Sequence, residues 1–260
     1  DALSLWETLF SFDVREIDSM QCVFATDQAG AFLYFPPLGS GDVKAVSKKA
    51  FEILGRMNSS MGISRIENVP ESCLPFFEEE YRCAYKTDEY VYDREDIACY
   101  KGNAYKSKRS DYNHFVKNHP AVFVPYKQDM AQECLNLFDL WNSQKGESPE
   151  EARLMIDDAR ETHRLMFNYY DDMDFIGRVV KLGGRIIGYT FGYPINQTDF
   201  CVFAEITDRS FKGLPAFIFR EFCRDMSMLP YDRVNVMDAF GLPRLEKTKQ
   251  IGRASCRERV

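Results

Sequence analysis

Hydrophobic and polar positions in the first third of the chain follow strand and helix patterns in turn. Residues 22–26 and 31–35 are β-prone runs separated by a turn that ends in Gly30, which predicts a hairpin. Beyond Asp42, apolar residues recur at helical spacing, which predicts a helix capped by the Asp42 side chain. With a second, acidic helix and an extended run, these elements predict a small N-terminal domain over residues 1–92.

The remainder of the chain has the pattern of a larger α+β domain. A strand at 121–126 precedes two amphipathic helices, the second of which opens with a capping box at 148–151. Three strands follow, and Gly183 and Gly184 between the first two are a two-residue hairpin signal. A helix, a strand and a further helix complete the order, which predicts a second domain over residues 93–250.

This order of elements resembles that of the GCN5-related N-acetyltransferase (GNAT) fold, and the first domain resembles a reduced copy of the same plan. Five segments sharpen the resemblance, because they look like the C-terminal domain of phosphatidylglycerol lysyltransferase. They are FPPLGSGD (35–42), YVYDREDIACYKGNAYKSKRSDYNHF (90–115), GRIIGYTFG (184–192), FAEITDRSFKG (203–213) and NVMDAFGLPRLEKTK (235–249). The resemblance implies an α+β protein with two tandem GNAT-like domains.

The family also implies a chemistry. The lysyltransferase itself moves a lysyl group from its tRNA ester onto a lipid hydroxyl. The resemblance therefore implies an aminoacyl or acyl transferase with aminoacyl-tRNA or acyl-CoA as co-substrate, with no bound cofactor, and with Lys249 as a contact to a carbonyl or phosphate group. The closing motif of the family has a pair of acids before its glycine, whereas Asp238 is followed here by Ala239.

The last ten residues, IGRASCRERV (251–260), match one reading frame of a common sequencing adapter residue for residue. We therefore expect a non-native tail that takes no part in the natural fold. This tail replaces a Ser-Tyr-x-Pro stretch that the family has shortly after Lys249. The sequence thus predicts that the second domain is truncated at its C-terminus and lacks its last strand or strands.

Composition narrows the class of protein. Hydrophobic residues make up 45% of the chain and aromatic residues 14%, which is more apolar surface than a disordered chain carries. No apolar run approaches the roughly 18 to 20 residues that cross a bilayer, and the first residues lack the pattern of a signal peptide. The sequence therefore predicts a soluble, cytoplasmic protein without a transmembrane segment.

Metal and covalent chemistry find no support in the sequence. The eight cysteines are scattered singly, without a CxxC pair, and only three histidines are present, so the spacing of a zinc site is absent. We expect reduced, mostly buried thiols. No serine or cysteine lies in a nucleophile elbow. The sequence thus predicts neither a metal site nor a covalent mechanism.

The loop after the three-strand meander is the place where a GNAT enzyme would hold the pyrophosphate of coenzyme A. Such a loop presents successive backbone N–H groups at a helix N-terminus and is normally rich in glycine. Here residues 209–216 contain one glycine, Gly213, next to Lys212, and Pro215 removes one donor. The loop is therefore poorly suited to coenzyme A, although proline is also simply a good helix initiator.

Glu205 and Asp238 are the candidate catalytic acids. Glu205 lies in a predicted central strand, where burial would raise its pKa and suit it to act as a general base. Strand alternation equally permits a solvent-facing Glu205 without a catalytic role. Asp238 follows a predicted strand, where α/β-type folds place ligand contacts, and capping of the next helix is an equally good account. We expect a central cleft to bring Glu205 close to Asp238 and to the basic side chains.

Basic and aromatic residues interleave between residues 100 and 117 in a chain whose net charge is −7. The basic patch consists of Lys101, Lys106, Lys108, Arg109 and Lys117. Such a patch can neutralise the phosphates of tRNA or of a lipid. Arg109 is the candidate phosphate fork, because a guanidinium binds two oxygens at once. A solvated helix face explains the same pattern without any ligand.

Three functions compete at this point. The leading hypothesis is tRNA-dependent aminoacyl transfer, with Glu205 as base and with Arg109, Lys212 and Lys249 as cationic contacts. The second is N-acetyl transfer from acetyl-CoA, and the third is a non-catalytic module that binds RNA or an anionic surface through the basic patch. The acceptor, a small molecule or a lipid, is not identified by the sequence. A lipid is disfavoured because nothing in the sequence anchors the chain to a bilayer.

Overall fold

The computed structural model describes residues 2–6, 9–58, 61–144, 150–239, 243–250 and 256–259. Ser148 and Pro149 of the predicted capping box lie outside these residues. The chain divides into two compact units, the first comprising Asp1–Asp88 with the residues from Glu258 onward, and the second Glu89–Arg257. The extended run that the sequence analysis placed at the end of the first domain is a strand of the second unit.

The first unit is a three-stranded antiparallel sheet with one long helix. Its elements are β1 (Ser11–Ile17), β2 (Met20–Thr26), β3 (Ala31–Leu33) and α1 (Val43–Met57), with short 3-10 helices at Ala2–Trp6, Met61–Ile63 and Glu71–Phe76. Asp42 caps α1 as predicted, since its carboxylate accepts a hydrogen bond from the Ala45 N–H at 3.1 Å. Apolar residues of β2 and β3 pack on Val46, Ala50 and Leu54 of α1 and form the core.

The second unit is an α+β domain built on a seven-stranded sheet. The strands of this sheet are β4 (Asp88–Asp93), β5 (Val122–Pro125), β6 (Ile176–Leu182), β7 (Arg185–Pro194), β8 (Asp199–Thr207), β9 (Arg233–Asn235) and β10 (Cys256–Arg259). Asp88 of β4 and the last two residues of β10 are counted with the first unit. The helices of the second unit are α2 (Arg94–Cys99), α3 (Lys106–Asn118), α4 (Ala131–Ser143), α5 (Glu150–Asn168), α6 (Leu214–Arg224) and α7 (Pro243–Lys249). Further 3-10 helices lie at Gln128–Met130, Tyr170–Asp172 and Met226–Met228.

The strand order in this sheet is β10-β4-β9-β8-β7-β6-β5. Strands β5 to β8 are antiparallel neighbours, β4 is antiparallel to β9, and β8 is parallel to β9, so the sheet is mixed. From β5 onward the elements follow the predicted order, and Gly183 and Gly184 form the tight turn between β6 and β7 with φ of 59° and 85°. The tandem GNAT-like arrangement, the non-native tail and the truncation stay predictions.

Helices cover both faces of the second sheet. On one side, called the α6 face, α2, α3 and α6 pack against the strands. The buried residues on this side include Phe200, Val202, Phe219, Phe222 and Val234. On the other side, called the α5 face, Phe167 of α5 makes edge-to-face contacts with Tyr189 and Phe191 of β7. A polar side chain on a central strand is therefore enclosed by helices, whichever face it occupies.

Candidate functional site

Strands β8 and β9 separate soon after they meet. Their parallel pairing is confined to three residues of each strand and ends at Cys201 and Asn235. Strand β8 continues beyond Cys201, whereas the chain after β9 turns toward β4. There the Val236 N–H donates to the carbonyl of Tyr90 at 2.9 Å, and the carbonyl of Met237 accepts from the Tyr90 N–H at 3.2 Å. Among the described residues, the second half of β8 therefore has no strand neighbour on the side away from β7.

A left-handed residue fixes this turn away from β8. Met237 has φ of 61°, a conformation that is unfavourable for a side chain other than glycine and that clusters at functional sites. Its N–H donates to Asn235 Oδ1 at 2.7 Å, and Asn235 Nδ2 donates to Glu89 Oε2 at 2.5 Å. The Asn235 side chain thus forms hydrogen bonds both to the turn and to the neighbouring strand β4.

Lys249, at the end of α7, binds the same segment. Its Nζ donates to the carbonyl oxygens of Val236 at 2.6 Å and of Asp238 at 2.5 Å. Burial lowers the pKa of the Lys249 ammonium group, although the nearby Asp238, Cys201 and Glu89 act in the opposite direction. Lys249 therefore lies where β8 and β9 diverge, together with Asp238, and its hydrogen bonds go to the backbone.

Glu205 lies on β8 beyond the point where the strands separate. It is half-buried, and its Oε2 is buried without a hydrogen-bond partner among the residues that the structure describes. Burial raises the pKa of the Glu205 carboxyl to about 8, an effect that the positive charge of Lys108 partly offsets. The side chain is thus directed into the protein, and its pKa is close to neutral pH, as a general base requires.

Residues of the α6 face surround the Glu205 carboxyl. Burial, and after it the charge of Glu205, raise the pKa of the Tyr100 hydroxyl and of the Cys223 thiol. The Tyr100 hydroxyl itself donates to the carbonyl of Ala216 on α6 at 3.0 Å. Lys108 of α3 is half-buried and is the cation whose charge acts on Glu205. The structure therefore brings two predicted site residues, Glu205 and Lys108, together.

The strand register shows that Glu205 and Cys201 occupy opposite faces of the sheet. Glu205 is paired with Thr190 of β7, and Cys201 is paired with Tyr193 of the same strand. Since Thr190 and Tyr193 are three residues apart, their side chains point to opposite faces. Glu205 lies on the α6 face, and Cys201 lies on the α5 face.

This placement separates the two candidate acids. Lys249 lies near Asp238 and Cys201, and the turn that carries Asp238 is held by Asn235. Glu205 instead lies near Lys108. Within the part of the chain that the structure describes, no hydrogen bond or ion pair joins Glu205 to Asp238 or to Lys249. The cleft that was expected to bring the two acids together stays a prediction, and the divergence of β8 and β9 does not join them by a contact that the described residues show.

Arg109 has a structural role in the basic patch. Its Nη1 donates to the carbonyl of Tyr100 and, at 3.0 Å, to that of Gly102, so it binds carbonyls at the C-terminal end of α2. A cation in this position is favourable, because the last carbonyls of a helix lack intrahelical partners. Three other members of the patch are exposed, namely Lys101, Lys106 and Lys117. The exposed lysines, rather than Arg109, are the cations that a ligand can reach.

The loop between β8 and α6 is held by hydrogen bonds of its own. The Arg209 N–H donates to Gln144 Oε1 at 2.9 Å, and the Ser210 N–H donates to Asp208 Oδ1 at 3.0 Å. The Phe211 N–H donates to the carbonyl of Asp208 at 3.2 Å. Three N–H groups that a pyrophosphate would need are therefore already bound within the protein.

Asp208 adds a negative charge to this loop. Burial acts to raise the pKa of its carboxyl, but hydrogen bonds from Ser210 and Gln144 and the charge of Arg185 hold that pKa below the ordinary value. The carboxylate is therefore ionised at neutral pH and repels an anion. Gly213 ends the loop with φ of 87° as the N-cap of α6, and Lys212 beside it is exposed. The geometry does not suit a phosphate cradle.

A family model described as phosphatidylglycerol lysyltransferase, C-terminal, matches residues 2–254. The chain belongs to this family. Membership of the phosphatidylglycerol lysyltransferase C-terminal family confirms the resemblance drawn from the five sequence segments, and it places the chain among acyl and aminoacyl transferase domains.

Solved structures similar to this member of the lysyltransferase C-terminal family support the fold. A conserved protein of unknown function from Bacteroides thetaiotaomicron has a TM-score of 0.82 and 24% identity, over 98% of this chain and 86% of that one. The L-PGS from Bacillus licheniformis has a TM-score of 0.70 and 13% identity, over 99% and 89%. FemX has a TM-score of 0.64 and 8% identity, over 95% and 86%. No curated protein sequence matches the chain.

The described part of the structure also bears on the cysteines, on metal binding and on membrane-spanning helices. The free cysteines include Cys22, Cys73, Cys83, Cys99, Cys134, Cys201 and Cys223, and the described part contains no group of three or more His, Cys, Asp or Glu residues able to hold a metal ion. Its helices are each too short or too polar to cross a membrane. The sequence analysis missed Thr190 and Asn235, because each lies in an apolar run where a polar residue gives no sign of its neighbours.

Proposed function

We propose that this chain transfers an aminoacyl group from aminoacyl-tRNA to an acceptor nucleophile, with Glu205 as general base. The observation that carries the proposal is the buried, unpaired Oε2 of Glu205 on the half of β8 that has left β9, in a family of acyl and aminoacyl transferases. A buried carboxyl oxygen without a partner is costly, so its presence on a central strand calls for a functional reason. General acid–base work is the role that such a group performs.

The proposed reaction includes two proton transfers, the first to Glu205 and the second from it. The acceptor O–H or N–H gives its proton to the Glu205 carboxylate while the freed electron pair attacks the ester carbonyl carbon of the aminoacyl-tRNA. The bond from that carbon to the ribose oxygen then breaks, and the ribose oxygen takes the proton from Glu205. Lys108 provides positive charge near Glu205, which favours the ionised base and stabilises negative charge that develops on the ester oxygen.

Exposed cations next to this site support a polyanionic donor. Lys101 and Lys106 flank the start of α3, and Lys117 lies near its end. Lys212 joins them, because Gly213 approaches α3 so closely that a Cβ added there would lie 2.1 Å from the Asp111 carbonyl oxygen. These lysines form a surface that can pair with tRNA phosphates despite the negative net charge of the chain.

The loop between β8 and α6 favours aminoacyl-tRNA over acetyl-CoA. Its N–H groups are bound internally, and the ionised Asp208 carboxylate would repel a pyrophosphate. We therefore propose aminoacyl-tRNA as co-substrate, without a further cofactor and with a small molecule or a lipid as acceptor.

Transfer of a radiolabelled amino acid from charged tRNA tests this function. The chain is incubated with bulk charged tRNA and, separately, with phosphatidylglycerol vesicles or a mixture of small amines and hydroxy compounds. We expect Glu205→Gln to lower the transfer rate by about 10²- to 10⁴-fold, while the exposed Glu52→Gln leaves it unchanged. Equal rates for the two variants would remove Glu205 as base. Acetyl transfer with micromolar binding of acetyl-CoA would replace the proposed donor.

A further inference from the structure

A row of polar residues crosses three adjacent strands beneath α6. Arg178 of β6 is paired with Thr190 of β7, and Thr190 is paired with Glu205 of β8. Directly paired residues of antiparallel strands share a face, with Cβ atoms about 4.5 to 5.5 Å apart. The three side chains are therefore successive neighbours on the α6 face.

The residues at the two ends of this row differ in their hydrogen bonds. Arg178 donates to the carboxylate of Asp225 from Nε at 2.8 Å and from Nη2 at 2.7 Å. Thr190 is fully buried, and neither its Oγ1 nor Glu205 Oε2 has a hydrogen-bond partner in the described structure. Leaving a buried polar atom unpaired is energetically costly. Two such atoms lie here on adjacent, directly paired residues, within reach of each other by rotation of the side chains.

None of the other groups that face the Glu205 carboxyl is hydrogen-bonded to its Oε2 in the described structure, so a hydroxyl can bind that oxygen. Lys108 of α3 supplies charge, the Tyr100 hydroxyl donates to Ala216 of α6, and the Cys223 thiol is a weak donor. A threonine hydroxyl can both donate and accept a hydrogen bond. It can therefore bind a carboxylate as donor and a carboxylic acid as acceptor.

We propose that Thr190 is a positioning residue for Glu205, whose Oε2 it binds through its hydroxyl in both protonation states of the carboxyl. The inference rests on the proposed function in that it gives Thr190 a role in the work of the base. When Glu205 is ionised, the form in which it acts as base, Thr190 Oγ1 donates to its carboxylate. After Glu205 has taken the proton of the acceptor, the new carboxylic acid donates to Thr190 Oγ1. The hydroxyl keeps the carboxyl in one orientation throughout the cycle.

Carboxyl ¹³C NMR of the whole chain measures this directly and does not depend on activity. The Glu205 signal is assigned by its absence in Glu205→Gln, and its titration midpoint is followed from pH 4 to pH 10. Thr190→Val keeps the shape of the side chain and removes the hydroxyl, and Thr190→Ser keeps the hydroxyl. The matched control is Thr162→Val on α5, because Thr162 Oγ1 is also buried and unpaired.

The hydrogen bond that Thr190 donates to the charged carboxylate is stronger than the one it accepts from the neutral acid. We therefore expect Thr190→Val to move the Glu205 midpoint upward by about one unit, a tenfold change in the proton affinity. Thr190→Ser and Thr162→Val should leave the midpoint in place. An unchanged midpoint in Thr190→Val overturns the inference. If the valine variant does not fold, Thr190→Ala is measured in its place with the same expectation.

Two further results separate this inference from the proposed function. A shifted midpoint without any aminoacyl transfer supports the Thr190–Glu205 hydrogen bond and counts against the proposed reaction. Transfer that depends on Glu205, together with an unshifted midpoint in Thr190→Val, supports the reaction and overturns the role of Thr190. Where transfer is observed, its pH–rate profile should move to higher pH in Thr190→Val and return in Thr190→Ser.

Discussion

The ammonium group of Lys249 donates to the backbone carbonyl of Asp238. Together with its bond to the carbonyl of Val236, this contact ties the end of α7 to the segment that turns away from β8. A lysine that binds two backbone carbonyls acts as a fixed structural cation. The position of the segment after β9 therefore depends on a side chain that the family resemblance had assigned to a carbonyl or phosphate contact.

Replacing Lys249 should loosen this segment. Lys249→Met keeps most of the apolar stem and removes both hydrogen bonds, so we expect a loss of about 1 to 3 kcal/mol in the free energy of unfolding. Amide hydrogen exchange at Val236 and Met237 should become faster. The exposed Lys247→Met on the same helix serves as control. Unchanged exchange in the Lys249 variant would show that the two hydrogen bonds do not hold the segment.

The raised pKa of Glu205 predicts how stability depends on pH. Between the ordinary value of 4.5 and the folded value of about 8, the unfolded chain has lost the Glu205 proton while the folded chain still holds it. The folded state then binds more protons, so this group makes the free energy of unfolding fall as pH rises. In Glu205→Gln that contribution is absent, and the fall between pH 5 and pH 8 should be smaller.

Urea unfolding at several pH values measures this difference. The exposed Glu52→Gln, in the first unit, should follow the pH dependence of the unmodified chain. A Glu205→Gln curve parallel to that of the unmodified chain would mean that Glu205 is ionised in the folded state across this range.

Gly213 is a position where a single methyl group should be costly. Its φ of 87° disfavours any other residue, and a Cβ would lie 2.1 Å from the backbone carbonyl oxygen of Asp111. We expect Gly213→Ala to lose more than about 2 kcal/mol of stability. Gly102→Ala has a similar φ of 90° with nothing within 4 Å, so it should lose only about 1 kcal/mol, the conformational cost. Thermal unfolding compares the two, and equal losses would mean that α3 moves aside.

The ion pair between Arg178 and Asp225 should contribute far more than a surface pair. Its side chains are 14% and 18% exposed, against 40% and 49% for Arg160 and Asp139, which pair with the same two-bond geometry. Arg178→Met leaves the buried Asp225 carboxylate without its cation, although Ser227 still donates to it, and should cost about 3 kcal/mol. Arg160→Met should cost about 1 kcal/mol or less. Urea denaturation gives both values, and similar losses would contradict the role of burial.

Local signals predicted those parts of the fold that depend on neighbours in the sequence. The Asp42 cap and the Gly183–Gly184 turn depend on a few adjacent residues, and both lie where expected. Strand β1 was missed because most of its residues are exposed, so no alternation marks it. Helix α3 was anticipated only as a solvated helix face and not as an element that packs on the sheet, because Phe115 is its buried residue in an otherwise charged and polar stretch.

The candidate site was predicted only in part, for reasons of long-range geometry. The sequence indicated Glu205, because an acid within an apolar strand is unusual, and it placed Lys108 in a basic patch. It gave no sign that Met237 adopts a left-handed conformation, which carries Asp238 away from β8. Thr190 was missed because β7 is buried almost throughout, so the pattern does not reveal which strand residue faces Glu205.

The pairing of β4 with β9 has a consequence for folding. The hydrogen bond between Glu89 and Asn235 joins residues 146 positions apart, so β4 leaves the ribosome long before its partner is made. Such distant pairings are slow to form, because a long loop must close first. During synthesis β4 has an unpaired edge, which can bind other chains. The second unit should therefore pair β4 with β9 only after Asn235 has emerged.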